Sequence, residues 1–188
     1  MSKLETNTID TVSGTSNLVI GSTNTSTITM PNGALSGQNY PAFEAHLSAS
    51  QSVSDAVTTK VQFDAEDLDT DNCYDNSTNY RFTPTVAGKY FVFARVMALN
   101  TSNTNLASAI NFIYKNGASI SREQIDFTAN YIKNASINNS LIVDMNGSSD
   151  YLEVFGSVNV ISGGSPSFYG ASPSLYRYCR FGAYRIGA

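Results

Sequence analysis

The stretch "FTPTVAGKYFVFARVM" (82–97) carries two apolar faces where one is expected. Side chains alternate across a strand. From Lys89 on, Tyr90, Val92, Ala94 and Val96 therefore lie on one side, and Phe91, Phe93, Arg95 and Met97 on the other. One side supplies a core. The other would leave a contiguous apolar patch, which monomers rarely tolerate. Burying two phenylalanines and a methionine contributes roughly 5–9 kcal/mol before the costs of association. The second face thus predicts a cover, and a thick monomeric core is the competing reading.

The same period of two recurs from Tyr40 to the end. "PAFEAHL" sets Phe43, Ala45 and Leu47 against Glu44 and His46. "TTKVQFD" sets Val61 and Phe63 against Lys60 and Gln62. "AINFIYKNGASISREQI" has Asn116-Gly117 at its centre, a hairpin signal because both residues tolerate positive φ. "NASINNSLIVDMNG" alternates from Ala135 to Met145. "DYLEVFGSVNVI" sets Leu152, Val154, Val158 and Val160 against Tyr151, Glu153 and Phe155, and "LYRYCRFGAYRIG" closes the chain as a last strand. No window has an apolar period of 3.6. About ten strands in some 150 residues predict an all-β fold, an antiparallel sandwich or jelly roll, over 39–188.

Residues 1–38 read differently. They hold no Phe or Tyr, and short apolar bursts alternate with Ser, Thr, Asn and Gly. Such a segment cannot bury enough surface to fold alone. Its β-branched residues favour an attachment or oligomerisation arm over a disordered leader.

Composition narrows the function. Asn, Ser and Thr number 19, 25 and 17 of 188 residues, which suits strands and turns. Charge is sparse, and the net charge of −4 gives no reason to expect nucleic-acid binding. The first residues, "MSKLETNTID", lack an apolar signal core, and no apolar run reaches membrane-spanning length, so membrane insertion is not expected. Cys73 and Cys179 form no metal-ligand spacing; their pairing stays open, with two reduced thiols favoured.

At "KVQFDAEDLDTDNCYDNSTNYRFTPTVAGKYFVFARV", after the opening "PAF", the sequence resembles the globular heads of complement component 1q and its tumour-necrosis-factor-like relatives. Phe63, Asp69, Tyr74, Phe82, Gly88 and Tyr90 match that pattern in order, and "RFGAYRI" matches its last strand. The Tyr74–Phe82 gap is one residue longer than usual, and Val92 stands where an aromatic is common. The resemblance covers about 40–187 and implies a ten-strand jelly roll assembled as a homotrimer, with a binding or structural role. The leader, by its texture, is similar to segments that precede heads in bacteriophage tail fibres and other virion surface proteins.

These readings define candidate residues. Phe91, Phe93, Arg95, Tyr151, Glu153, Phe155, Tyr178 and Arg180 are expected to line a threefold axis, with Glu153 as the partner of Arg95 or Arg180, because a buried unpaired charge is costly. Asp67, Asp69 and Asp71 alternate as at the start of a Ca²⁺ loop. Asn72 in place of the turn glycine and Thr78 in place of the closing Glu break that match, so a solvated acidic loop is favoured over bound Ca²⁺. Tyr169, in "SGGSPSFYGASPS", is the candidate for a ligand-facing aromatic. His46 is expected on a solvated face.

No catalytic motif stands out. A nucleophile elbow and a phosphate loop are both missing, and nothing singles out a carboxylate pair. The expectation is a non-enzymatic virion surface protein: a capsid fibre, decoration or fibre-tip subunit of a bacteriophage, assembled in the host cytoplasm. Its arm would bind other virion proteins. Its polar loops at Leu99–Ser108, Asp126–Asn134 and Ile161–Ser174 would contact a host-surface glycan or protein. The alternatives are a tail-fibre receptor-binding protein, for which 38 residues leave little shaft, and a secreted ligand or adhesin of the same fold.

Overall fold

The computed structural model describes residues 41–102, 105–127, 132–170 and 176–187. The arm expected over 1–38, and parts of all three recognition loops, lie outside the described residues.

Among the described residues the secondary structure is all strand. In chain order the strands are β1 (Ala42–His46), β2 (Gln51–Ser52), β3 (Thr59–Lys60), β4 (Ala65–Asp69), β5 (Tyr74–Asp75), β6 (Arg81–Phe82) and β7 (Gly88–Asn100). They continue with β8 (Leu106–Lys115), β9 (Ala118–Asp126), β10 (Asn134–Met145), β11 (Leu152–Val160), β12 (Pro166–Phe168) and β13 (Arg180–Gly187). Eight have five residues or more; the other five are short pieces that complete the sheet edges. That is why the count exceeds the expected ten.

All pairings are antiparallel. One sheet runs β4-β1-β13-β7-β10, with β12 and β2 extending it where β13 stops. The second runs β5-β6-β11-β8-β9, with β3 also on β11. β7 is the centre of the first sheet. It pairs with β10 along one side, and with β13 and then β12 along the other.

The inward faces follow the alternation. Phe43, Ala45 and Leu47 are buried, as are Tyr90, Val92, Ala94 and Val96. On β10, Ile137, Asn139 and Met145 are buried and Leu141 and Val143 pack partly against the core. Asn116 and Gly117 both have positive φ and form the expected two-residue hairpin between β8 and β9. Val61 and Phe63 are fully buried, but in loop rather than strand.

The residues that carried the family resemblance meet in the core. Phe43 stacks on Tyr74 (4.7 Å, 9°) and Phe82 (4.4 Å, 20°), and meets Phe181 edge-on (4.8 Å, 84°). Tyr90 lies against Phe82 at 5.7 Å. Asp69 closes the turn that delivers Tyr74, accepting the amide N–H of Tyr74 (2.8 Å) and of Asp71 (3.2 Å). Gly88 has φ of +145°, and a Cβ there would come within 2.3 Å of the Gly187 carbonyl, so only glycine lets β7 start beside the end of β13.

One buried polar group ties the sheets together. Asn111 of β8 is fully buried and donates Nδ2–H to the carbonyls of Ala94 on β7 and Ile137 on β10, each at 3.0 Å. Asn139 of β10 returns a bond to the Asn111 carbonyl at 3.2 Å. Cys73 and Cys179 are free, buried thiols.

Candidate functional site

The outward face of the first sheet answers the question set by β7. Phe91, Phe93, Arg95, Met97 and Leu99 alternate onto the outward face and are only half-buried, with Met97 also packing partly against the core. The ladder sets Tyr184 of β13 opposite Phe91, Gly182 opposite Phe93 and Arg180 opposite Arg95. On the other side β10 sets Ile142 opposite Phe91 and Asn138 opposite Arg95. The face therefore has two regions. Toward the start of β7 it is apolar: Phe91 contacts Phe93 (6.4 Å) and Tyr184 (5.4 Å), with Ile142 60% and Tyr184 46% exposed. Farther along β7 it is charged.

The charged region holds three guanidinium groups. Arg95 donates Nε–H to the Tyr178 carbonyl at 2.9 Å and an Nη2–H to the Arg177 carbonyl. Among the described residues no carboxylate lies within ion-pair distance of it. Burial, and next the nearby Arg180, lower its pKa from the ordinary arginine value. Arg180 reaches Glu44 at 3.4 Å, and its Nε is buried with no hydrogen-bond partner. Arg177 pairs with Asp67, which also sits 2.9 Å from His46 Nδ1. Burial pushes the Asp67 carboxyl up, but Arg177 and His46 outweigh it and hold the pKa below the usual carboxylate range. His46 is thus engaged, with a side chain only 14% exposed, and not on the solvated face expected of it. Alternation alone could not show this, because Asp67 arrives from the neighbouring strand β4.

The expected axial cluster is split. Phe91, Phe93, Arg95 and Arg180 share the outer face of the first sheet, and Tyr178 adjoins it in the segment that leads into β13. Tyr151, Glu153 and Phe155 do not join them. They lie at the start of β11 and along it, in the second sheet. In a two-layer sandwich the outward faces of the two sheets point in opposite directions, so "opposite the apolar stripe" means a different side of the molecule for β11 than for β7. Glu153 accordingly pairs with Lys60 of β3 at 2.5 Å, not with Arg95 or Arg180. Phe155 packs on Tyr114 (4.4 Å) and lies under Lys60, and Tyr151 lies under Arg81 (4.7 Å). Tyr184 and Ile142 complete the apolar face that sequence reasoning left unfinished. The signal was present: both alternate out of phase with the core positions of their strands.

The acidic stretch is not gathered around one point. Asp67 serves His46 and Arg177, and Asp69 serves backbone amides and the Cys73 thiol. Among the described residues no group of three or more His, Cys, Asp or Glu side chains could hold a metal ion. Tyr169 is half-buried and stacks on Tyr178 (4.5 Å, 15°), with Tyr176 beyond at 6.1 Å from Tyr178.

No protein-family model matches the chain. No curated protein matches it either. Solved structures do. The globular domain of the zebrafish complement 1qA protein superposes with a TM-score of 0.51 at 11% identity, over 78% of this chain and 97% of that one. Murine APRIL, in its crystal structure at pH 8.5, superposes with a TM-score of 0.54 at 11% identity, over 79% of this chain and all (100%) of that one. At such identity the likeness is one of fold: the described residues form an antiparallel all-β jelly roll similar to that of these globular domains.

Proposed function

We propose that this chain is a non-enzymatic structural protein of a bacteriophage virion surface, a homotrimeric jelly-roll head held to the particle by residues 1–38. The observation that carries the oligomeric part is the outer face of β7, β13 and β10. Phe91, Phe93, Tyr184 and Ile142 leave an apolar patch on the side of the first sheet that no second layer covers among the described residues.

A complementary surface exists on the same chain. β9 and β10 are the outer strands of the two sheets on one side of the sandwich, and β9 is exposed almost throughout, with Ile120 and Ile125 open. Among the described residues β9 pairs only with β8, and a free strand edge of nine residues is one that stable proteins cover. A face on one copy and an edge on the next make a head-to-tail contact, which closes into a ring when the rotation is right. Three copies are the closure that the family resemblance implies.

The virion placement is supported by the Asn/Ser/Thr-rich leader and by the lack of a catalytic constellation in the sequence. Sedimentation of the full chain tests the assembly; a monomer at micromolar concentration would overturn it. Deleting residues 1–38 tests the placement. The truncated protein is expected to remain a trimer and to stop binding the source particle. A source with no particle that carries the protein would favour a secreted ligand instead.

A further inference from the structure

Beside the apolar patch, the charged end of the same face forms an open depression of about 350 Å³, lined by Arg95, Tyr176, Arg177, Tyr178 and Arg180. Arg95 and Arg180 stand directly opposite each other across β7 and β13. Like charges in that position destabilise a sheet. Among the described residues only two carboxylates face the three guanidiniums: Glu44 reaches Arg180 at 3.4 Å, and Asp67 is shared between Arg177 and His46. Arg95 has backbone carbonyls on its N–H groups but no carboxylate among the described residues. The Arg180 Nε is shut in without a partner. The depression therefore carries uncompensated positive charge.

We infer that this depression is a binding site for an acidic sugar, a pyranose ring bearing a carboxylate. A guanidinium presents a planar fork that matches a carboxylate, and a carboxylate held by the two opposed across the ladder would supply the missing counter-charge. The rest of the lining is tyrosine. Tyr178 is braced by its stack on Tyr169, while Tyr176 is 63% exposed and offers a ring face and a hydroxyl. Rigid tyrosines give contact area and hydrogen bonds at low conformational cost, which suits a polar ring better than an inorganic ion. The volume lies at the small end of ligand sites. The site gives a use to Tyr169, as the support for a ligand-facing ring and not as that ring. It does not depend on the virion assignment.

The test is titration of the full-length protein with D-glucuronate, with D-glucose as the neutral counterpart, followed by NMR line changes or calorimetry. Glucuronate is expected to bind and glucose to be silent. Binding should weaken about tenfold or more in Arg95→Ala, and also weaken when NaCl rises from about 0.05 to about 0.5 M. Because Arg95 also holds the 177–178 backbone, Tyr176→Ala is the second variant. Its exposed ring is expendable for folding, and its loss should weaken glucuronate binding without changing the melting temperature. Equal binding of both sugars, no binding of glucuronate, or binding unmoved in both variants would overturn the inference. So would dissociation of the oligomer by Arg95→Ala with no glucuronate bound by the parent, which would give the depression to a second copy.

Discussion

The ring of Phe93 lies over Gly182: a Cβ on Gly182 would come within 2.3 Å of the Phe93 Cζ and 2.9 Å of the Phe43 carbonyl. The two residues are cross-strand partners on β7 and β13. The bare backbone of one gives the aromatic face of the other room to spread across the sheet. Gly182→Ala should therefore displace Phe93 and cost about 1–3 kcal/mol of unfolding free energy in urea. The same change on a Phe93→Ala background should cost less, since one of the two clashes is gone. Equal costs in both backgrounds would mean that the Phe43 carbonyl alone sets the penalty.

Phe93→Asp separates the fold from the assembly. Phe93 points away from the core, so the variant should keep its far-ultraviolet circular dichroism. In the proposed trimer the new carboxylate would lose its water inside an apolar patch, a desolvation cost that the nearby Arg95 offsets only in part. Sedimentation is expected to show monomers or aggregates where the parent shows trimers. A well-behaved trimer of the variant would move the interface off this face.

The face was legible in the sequence and the arrangement of faces was not. Alternation in β7, β10 and β11 assigned inside and outside for nearly every residue, because a period of two depends only on local backbone geometry. It could not say that β11 belongs to the other layer. That is set by which strands pair, and pairing is a long-range choice. Hence alternation alone groups Tyr151, Glu153 and Phe155 with Phe91 and Phe93 although their strand lies in the opposite layer. Ion pairs were lost for the same reason. Lys60–Glu153, Glu44–Arg180 and Asp67–Arg177 join residues 93, 136 and 110 positions apart, and nothing in their local patterns announces them.

Asn111 should be among the costly core positions despite being polar. Replacing it with Leu removes both side-chain bonds that join β8 to the Ala94 and Ile137 carbonyls of the first sheet. Each such buried bond contributes about 0.5–1.5 kcal/mol. Asn111→Leu is expected to lower the urea midpoint with little change in slope. A neutral result would mean that water or a backbone shift replaces the two bonds.

The buried thiols should be inert in the folded protein. Burial, the largest influence, pushes Cys179 up to about 12, and burial with the neighbouring Asp69 raises Cys73 further. Only the thiolate reacts readily. A raised folded pKa also sets the sign of the stability effect. The contribution is whole below the unfolded thiol value and is lost as pH rises above it toward the folded value. An aromatic disulfide reagent at pH 8 should label both cysteines in denaturant and neither in buffer. Fast labelling of either in buffer would show that its pocket opens.

Acid should unfold the head through carboxylates held below their ordinary values. Asp75 is lowered chiefly by the amides of Thr78 and Ser77, and Asp150 by Lys115 and Asn116. In Asp67, burial is outweighed by Arg177 and His46. In the unfolded chain these groups return toward 3.8, so below that pH the unfolded state binds more protons than the folded one. Their stabilisation is full above the unfolded value and disappears as pH falls through the folded values. Glu66, raised by burial and Asp69, acts in the opposite sense. Solvent screening keeps each exposed group to about 1 kcal/mol or less. Urea midpoints should be flat from about pH 6 to 5 and fall steeply below about pH 4. Asp75→Asn should lower the plateau slightly and make the acid limb shallower. An unchanged limb would show that Asp75 organises its turn equally well when protonated.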